Sequence, residues 1–440
     1  MQGRNWRIGW LAGMLLSATA AKAGNWPQWR GPHFNGSCDE TQLPERFTNT
    51  ENVAWTARLP GTSGATPIVF GDRVFVSSTA QSGRDLVALC FAVKDGRLLW
   101  NKRLGTGGRV PRSDLACPSP VTDGEWVVFT YGSGLIAGLT TDGKVLWQRD
   151  LTREYGCLAI MFGFSSSPLW YEGRLVLPVL RREKPYRYNL GASLPRKGDF
   201  DSYLLAMEPK TGKTIYRHVR ETDAVDESRE AYVTPVPCEL AGRKEFLVNG
   251  GTYVTGHDPA TGRELWRWKY EIPSRPTQQR VIPSVVVGEG LIFAPQARGN
   301  ATIALKPGAT GQAGKEIEAW NLPEPSCDSS TQLVYRGRLY SLDGDAKIAG
   351  CLDPKTGEVL WRSRLGGGGP WRASPTGADG KIYLLCETGE ALVLAAGDEY
   401  KELHRFDFDS PKPCRGTISA AAGRLFVRTA DRLICLRKTK

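Results

Sequence analysis

Histidine and methionine are scarce in this chain, four of each among 440 residues. The histidines, His33, His218, His257 and His404, lie far apart, which leaves a histidine-based metal cluster or a Ser-His-Asp triad with little support. The ten cysteines include no C-x-x-C and no adjacent pair, so zinc-ligand spacing is missing. Phosphate-binding loops, G-x-S-x-G elbows and dinucleotide fingerprints are missing too. The glycine run LGGGGP at 365–370 is followed by Trp371 rather than by a helix, and reads as a loop. No apolar run reaches the about 20 residues that a membrane helix needs. One from Ile8 to Ala20, roughly 13 residues, follows Arg4 and Arg7 and precedes Ala21-Lys22-Ala23. That pattern predicts a secretory signal peptide over residues 1–23. The mature protein is expected to be exported, periplasmic or secreted, and soluble rather than membrane-spanning.

Turn and strand material is abundant: Gly 50, Pro 28 and Trp 14 favour many short strands over helices. The formal charge is +11, with Arg4, Arg7 and Lys22 in the leader. A moderate basic excess suits anionic ligands or an anionic envelope. With no basic helix and no RNA-binding signature, no nucleic-acid partner is expected.

A repeat sets the fold. KDGRLLW (94–100), TDGKVLW (141–147), PKTGKTIY (209–216), PATGRELW (259–266) and PKTGEVLW (354–361) each place an aromatic residue after a glycine turn. GKEIEAWNL (314–322) and YKELHRFDF (400–408) are weaker copies. Ahead of each copy, Ser/Thr-Pro or a variant opens an apolar strand, then a turn and a G-R-L-x-V-like strand follow. These openings recur about every 50 residues, from ATPIVF (65–70) to GTISAA (416–421). Each unit reads as four short strands, a to d, with apolar alternation for face-to-face packing. Such a unit cannot bury both faces alone. Eight arranged radially can, so the prediction is an all-β, eight-bladed β-propeller of four-stranded antiparallel blades.

The last unit, 416–440, ends after strand c (RLICLRK, 432–438), while NVAWTARL (52–59) is a d-strand with no a, b or c before it. The N-terminal strand is therefore expected to close the ring. This divides the chain into a signal peptide (1–23), an N-terminal strap (24–51) and the propeller (52–440). In the strap, NWPQWRGP (25–32) is read as a crossing segment that packs Trp26 and Trp29 against the propeller.

HDPATGRELW (257–266) and LDPKTGEVLW (352–361) closely resemble the tryptophan-docking repeat of PQQ-like (quinoprotein) propellers, and NWPQWRGP resembles an element of exported PQQ-like repeat proteins. The resemblance covers nearly all of the mature chain. It implies one of two activities. PQQ-dependent quinoprotein alcohol dehydrogenases hold the cofactor with calcium; BamB-like propellers are non-catalytic scaffolds of the envelope. The dehydrogenases stack PQQ on a ring of adjacent cysteines and ligate calcium through a blade-three Glu. This chain has no such cysteine pair, and its matching segment, PRKGDFDSYLLAMEP (195–209), carries no such Glu. BamB is a lipoprotein, and no cysteine stands at the cleavage site here.

In a propeller the d–a and b–c loops share one face, and d–a loops line the central funnel. That face collects arginines, whose planar forks suit carboxylate and phosphate groups. The candidate ligand-binding residues are Arg112, Arg280, Trp371, Arg372 and Arg415, with Trp371 available for stacking. The competing reading pairs the arginines with Asp114, Glu183, Asp199, Asp223 and Glu230. No metal ligand set and no catalytic residue is assigned. The first function expected is an exported binding or scaffold propeller with a basic funnel for an anionic small molecule, a glycan or an envelope protein. The alternative is a PQQ-dependent dehydrogenase. A monomer is expected. Cys90, Cys351 and Cys435 share a strand-c slot and read as core thiols; Cys117, Cys327 and Cys414 fall in d–a loops, with disulfide pairing open.

Overall fold

A computed structural model describes residues 24–108, 110, 113–185, 200–271, 276–324, 326–411 and 413–439; the predicted signal peptide lies outside them. The strands form eight sheets. In chain order, blade 1 spans 68–106, blade 2 121–150, blade 3 169–219, blade 4 236–269, blade 5 286–322, blade 6 333–364 and blade 7 376–407. Blade 8 takes Ser419–Ala421, Arg424–Arg428 and Arg432–Leu436 from the end of the chain, and Val53–Arg58 from its beginning. Trp55 lies opposite Cys435 and Thr56 opposite Ile434 in an antiparallel ladder. Leu59 N donates to Asp431 O at 2.7 Å, and Arg437 N to Asn52 O at 2.8 Å, at the two ends of that pair. The expected closure holds: the N-terminal strand is the fourth strand of blade 8.

The turn-then-tryptophan motif explains how blades dock. In five blades the indole of the d-strand lies on the next blade's c–d turn. Trp55 Nε1 donates to Val93 O, Trp100 to Thr141 O, and Trp361 to Gly397 O, all at 2.9–3.0 Å. The turn glycine is required twice over. Gly96 has φ 72°, a region that favours glycine, and a Cβ there would sit 2.5 Å from the Trp55 ring. The b and c strands, such as Arg73–Ala80 and Asp85–Ala92, are almost wholly buried between neighbours, while outer d-strands such as Leu98–Thr106 are half exposed.

One seam departs from the repeat. Blade 5 lacks the compact c–d turn, and its longer connection lays Gly311–Ala313 parallel against Trp266–Trp268 as a fifth strand of blade 4. Trp266 Nε1 then donates within its own blade, to Glu245 Oε2 at 2.8 Å.

The strap crosses the axis at the end of the a-strands nearest the a–b turns. Trp26 and Val69 exchange both backbone hydrogen bonds at 2.8 Å, Thr122 N donates to Pro27 O, and Cys38 N to Gly377 O. Trp26 is fully buried. Arg30 is 1 % exposed, and its guanidinium donates to the carbonyls of Pro375 (2.8 Å), Gln332 (2.6 Å) and Asn35 (2.9 Å). The strap is thereby fastened to inner strands on opposite sides of the ring.

Candidate functional site

At the other end of the axis, among the d–a loops, lies a cavity of about 320 Å³. Its scaffold is a belt of hydroxyls. In seven of the eight blades the Ser or Thr just before the inner strand receives a backbone N–H from its counterpart in the preceding blade. Thr66 N donates to Ser119 Oγ (2.9 Å), Ser119 N to Ser167 Oγ (2.9 Å) and Ser167 N to Thr234 Oγ1 (3.1 Å). The chain of bonds continues from Thr234 N to Ser284 Oγ (2.9 Å), Ser284 N to Thr331 Oγ1 (3.0 Å) and Thr331 N to Ser374 Oγ (2.9 Å). Thr417 N donates back to Thr66 Oγ1 at 3.2 Å. A hydroxyl that accepts in this way keeps its own O–H and a second lone pair. The belt side chains, except Ser284, also line the cavity. The Ser/Thr-Pro signal that opens each strand is thus both a fastener between blades and the lining of the site.

The walls differ. On the side of blades 5 to 8 stand Arg280, Asp328, Asp345, Arg372 and Arg415; on the side of blades 2 to 4 stand Phe162, Tyr232 and uncharged small residues. The half-buried ring of Trp29 lines the cavity from the strap, with Arg30 Cζ 5.9 Å from its centroid. Burial pushes the Arg30 pKa down to about 9, which leaves it charged at neutral pH. Among the described residues no carboxylate lies within ion-pair distance of it. Its positive charge under the floor favours anions in the cavity.

The sequence-predicted residues fare unequally. Arg280, Arg372 and Arg415, up to 135 positions apart, meet in this cavity. Arg112 lies outside the described residues. Trp371 does not reach the ligand space. It is fully buried, it packs with Leu365 and Leu384, and its Nε1 donates to Gly366 O at 2.9 Å; the glycine loop folds over the indole and makes it core. The funnel is also not a purely basic surface. Arg280 pairs with Asp328 (3.3 Å) and Glu227 (3.5 Å), Arg372 with Asp345 (2.7 Å) and Glu387 (3.4 Å), and Arg415 with Glu387 (2.6 Å). These partners differ from the carboxylates anticipated from sequence. Each comes from a loop of an adjacent blade.

No disulfide joins any of the ten cysteines, all of which are among the described residues. Cys90, Cys351 and Cys435 are fully buried in their strands. Of the d–a loop cysteines, Cys327 and Cys414 are buried as well, and Cys117 alone lines the cavity. Burial pushes its thiol up to about 12, far from the thiolate that nucleophilic chemistry requires. Glu230, beside the neutral wall, accepts from Met161 N (2.9 Å) and Tyr232 Oη (3.0 Å). Burial raises it to about 7 despite those bonds. Trp29, the hydroxyl belt, Asp328 and Asp345 were not singled out by sequence reasoning as site residues. The recurring Ser/Thr before each inner strand was the one available signal.

A family model described as outer membrane protein assembly factor BamB, PQQ_2, matches residues 40–177 and 344–438. The chain belongs to this family. Among solved structures, BamB from Moraxella catarrhalis is similar with a TM-score of 0.60 at 12 % identity, covering 87 % of this chain and 98 % of that one. The quinohemoprotein alcohol dehydrogenase ADHIIG from Pseudomonas putida HK5 also reaches 0.60 at 12 % identity, covering 95 % and 81 %. The quinohemoprotein alcohol dehydrogenase from Comamonas testosteroni does so at 11 % identity, covering 94 % and 81 %. At these identities the likeness concerns the fold alone. No curated protein matches the chain. No described helix is long and apolar enough to cross a membrane.

Proposed function

We propose that the chain is an exported envelope propeller that binds rather than catalyses, taking an anionic group of a small molecule, glycan or protein partner into the axial cavity. One observation carries this reading: three arginines from the approaches to blades 5, 7 and 8 converge on one cavity. They do so above a buried, carbonyl-held Arg30. Ion pairing with Asp328, Asp345 and Glu387 holds the three forks in place without closing the cavity, and such pre-ordering reduces the entropy lost on binding. Kinship with an assembly factor supports a partner-binding role.

The quinohemoprotein neighbours favour a second reading, a PQQ-dependent dehydrogenase. The arginines and Trp29 suit a flat tricarboxylate, but the residues do not fit a calcium-held quinone. The two cavity carboxylates, Asp328 and Asp345, are both engaged by arginines. Among the described residues no group of three or more His, Cys, Asp or Glu is gathered, whereas calcium takes roughly six to eight oxygens. We derive no chemistry through that cofactor. Titration decides between the readings. An acidic peptide or oligoanion is expected to bind and to lose affinity in Arg280→Gln/Arg372→Gln. A thermal shift and quinone absorbance on adding PQQ with Ca²⁺ would instead establish the dehydrogenase.

A further inference from the structure

We infer that the ligand of the axial cavity is an acidic saccharide, a sugar ring carrying a carboxylate. This rests on the anionic-cavity reading above and narrows it. A bare anion such as phosphate, or a run of acidic side chains, would be attracted by Arg280, Arg372 and Arg415 but repelled by Asp328 and Asp345 on the same wall. A sugar uses both. Each hydroxyl of a vicinal diol donates one hydrogen bond and accepts others. Around the charged wall, arginine donors stand on either side of two aspartate acceptors, locked at 3.3 Å for Arg280–Asp328 and 2.7 Å for Arg372–Asp345. The belt adds hydroxyls such as Thr331 and Ser374, each able to donate and to accept. The C–H face of a sugar ring is apolar and stacks on an aromatic plane, and Trp29 supplies one at the strap end. The carboxylate is then left to Arg415 or to the potential of Arg30. The volume, about 320 Å³, is at the small end of ligand sites, roughly 300–1,000 Å³, and suits one or two sugar rings.

Calorimetric titration of the mature protein tests this with four probes: digalacturonate, lactose, hexa-aspartate and inorganic phosphate. Digalacturonate is expected to bind at least about tenfold more tightly than the other three, a difference of about 1.4 kcal/mol. Trp29→Ala is expected to lose about tenfold in digalacturonate affinity and Trp29→Phe to keep most of it, with circular dichroism confirming the fold. Asp345→Asn supplies a check independent of the strap, because removing a negative charge should weaken digalacturonate while strengthening hexa-aspartate. If hexa-aspartate or phosphate binds as tightly as digalacturonate, or Asp345→Asn moves both ligands in the same direction, the saccharide assignment falls and the anionic-cavity reading stands. If none of the three anionic probes binds, both fall.

Discussion

Arginine serves two different ends of one axis. At the strap end, Arg30 is sealed from water and its two terminal nitrogens donate to three backbone carbonyls. At the open end, Arg280, Arg372 and Arg415 are partly exposed and paired with carboxylates. The first arrangement fixes geometry, since each carbonyl lost from a buried cation is costly to stability. The second leaves N–H groups near the cavity and can exchange partners. Sequence alone gives both kinds of arginine the same letter; what separates them is whether the neighbouring chain offers carbonyls or carboxylates.

Breaking the strap end should have the larger effect on stability. Trp26→Ala empties a fully buried indole site and is expected to cost roughly 3–5 kcal/mol, read as a lower midpoint in urea with an unchanged slope. Arg30→Met should follow closely. It leaves the Pro375, Gln332 and Asn35 carbonyls without their donor, and hydrogen bonds to charged groups contribute roughly 1.5–3 kcal/mol each before the methionine's own burial is credited. A midpoint unchanged by Arg30→Met would mean that the strap does not depend on this anchor.

At the open end the order reverses. Arg280→Gln/Arg372→Gln removes ion pairs of unequal burial: exposed pairs such as Arg372–Asp345 contribute about 0–1 kcal/mol each, and the mostly buried Arg280 pairs more. The unfolding midpoint should move less than in Arg30→Met while the affinity for an acidic ligand falls. A large loss of stability with unaltered binding would assign these arginines to structure.

Much of this was legible in sequence because it rests on periodicity. The glycine turn and docking tryptophan recur at a fixed step, and the missing strand of the last blade matches the surplus strand at 52–59. Arg280, Arg372 and Arg415 could be placed on one face because each stands just before an inner strand. Their carboxylate partners could not. Arg280 meets Glu227 from a different d–a loop, and Arg415 meets Glu387 from the b–c turn of blade 7, contacts that depend on loop paths rather than on register. Trp371 was misread for the same reason: a tryptophan after a glycine run looks exposed until the loop folds over it. The fifth strand at Gly311–Ala313 follows a sequence with no strand alternation, and parallel pairing to blade 4 supplies its order.

A pH-dependent effect concerns a buried acid at the open end, and it asks whether burial or location decides a charged group's duty. Glu230 is fully buried, near Arg182 and Glu227, and holds Tyr232 of the neutral wall and the backbone N–H of Met161. Burial lifts its pKa from 4.5 to about 7. The folded protein therefore binds this proton more tightly than the unfolded chain does. Its contribution is fully present below about pH 4.5 and is lost as pH rises through 7. His257 has the opposite slope. Its ring is buried against Gly262 O (2.9 Å) and Thr255 Oγ1 (2.8 Å) and is held well below 6.5, so stability from it is lost as pH falls below that value. Comparing wild type with Glu230→Gln cancels the histidine. The variant, uncharged throughout, should gain stability relative to wild type between pH 5 and 8. A difference that stays flat across that range would mean that Glu230 is already ionised in the fold, held by Arg182 as the rim carboxylates are held by theirs.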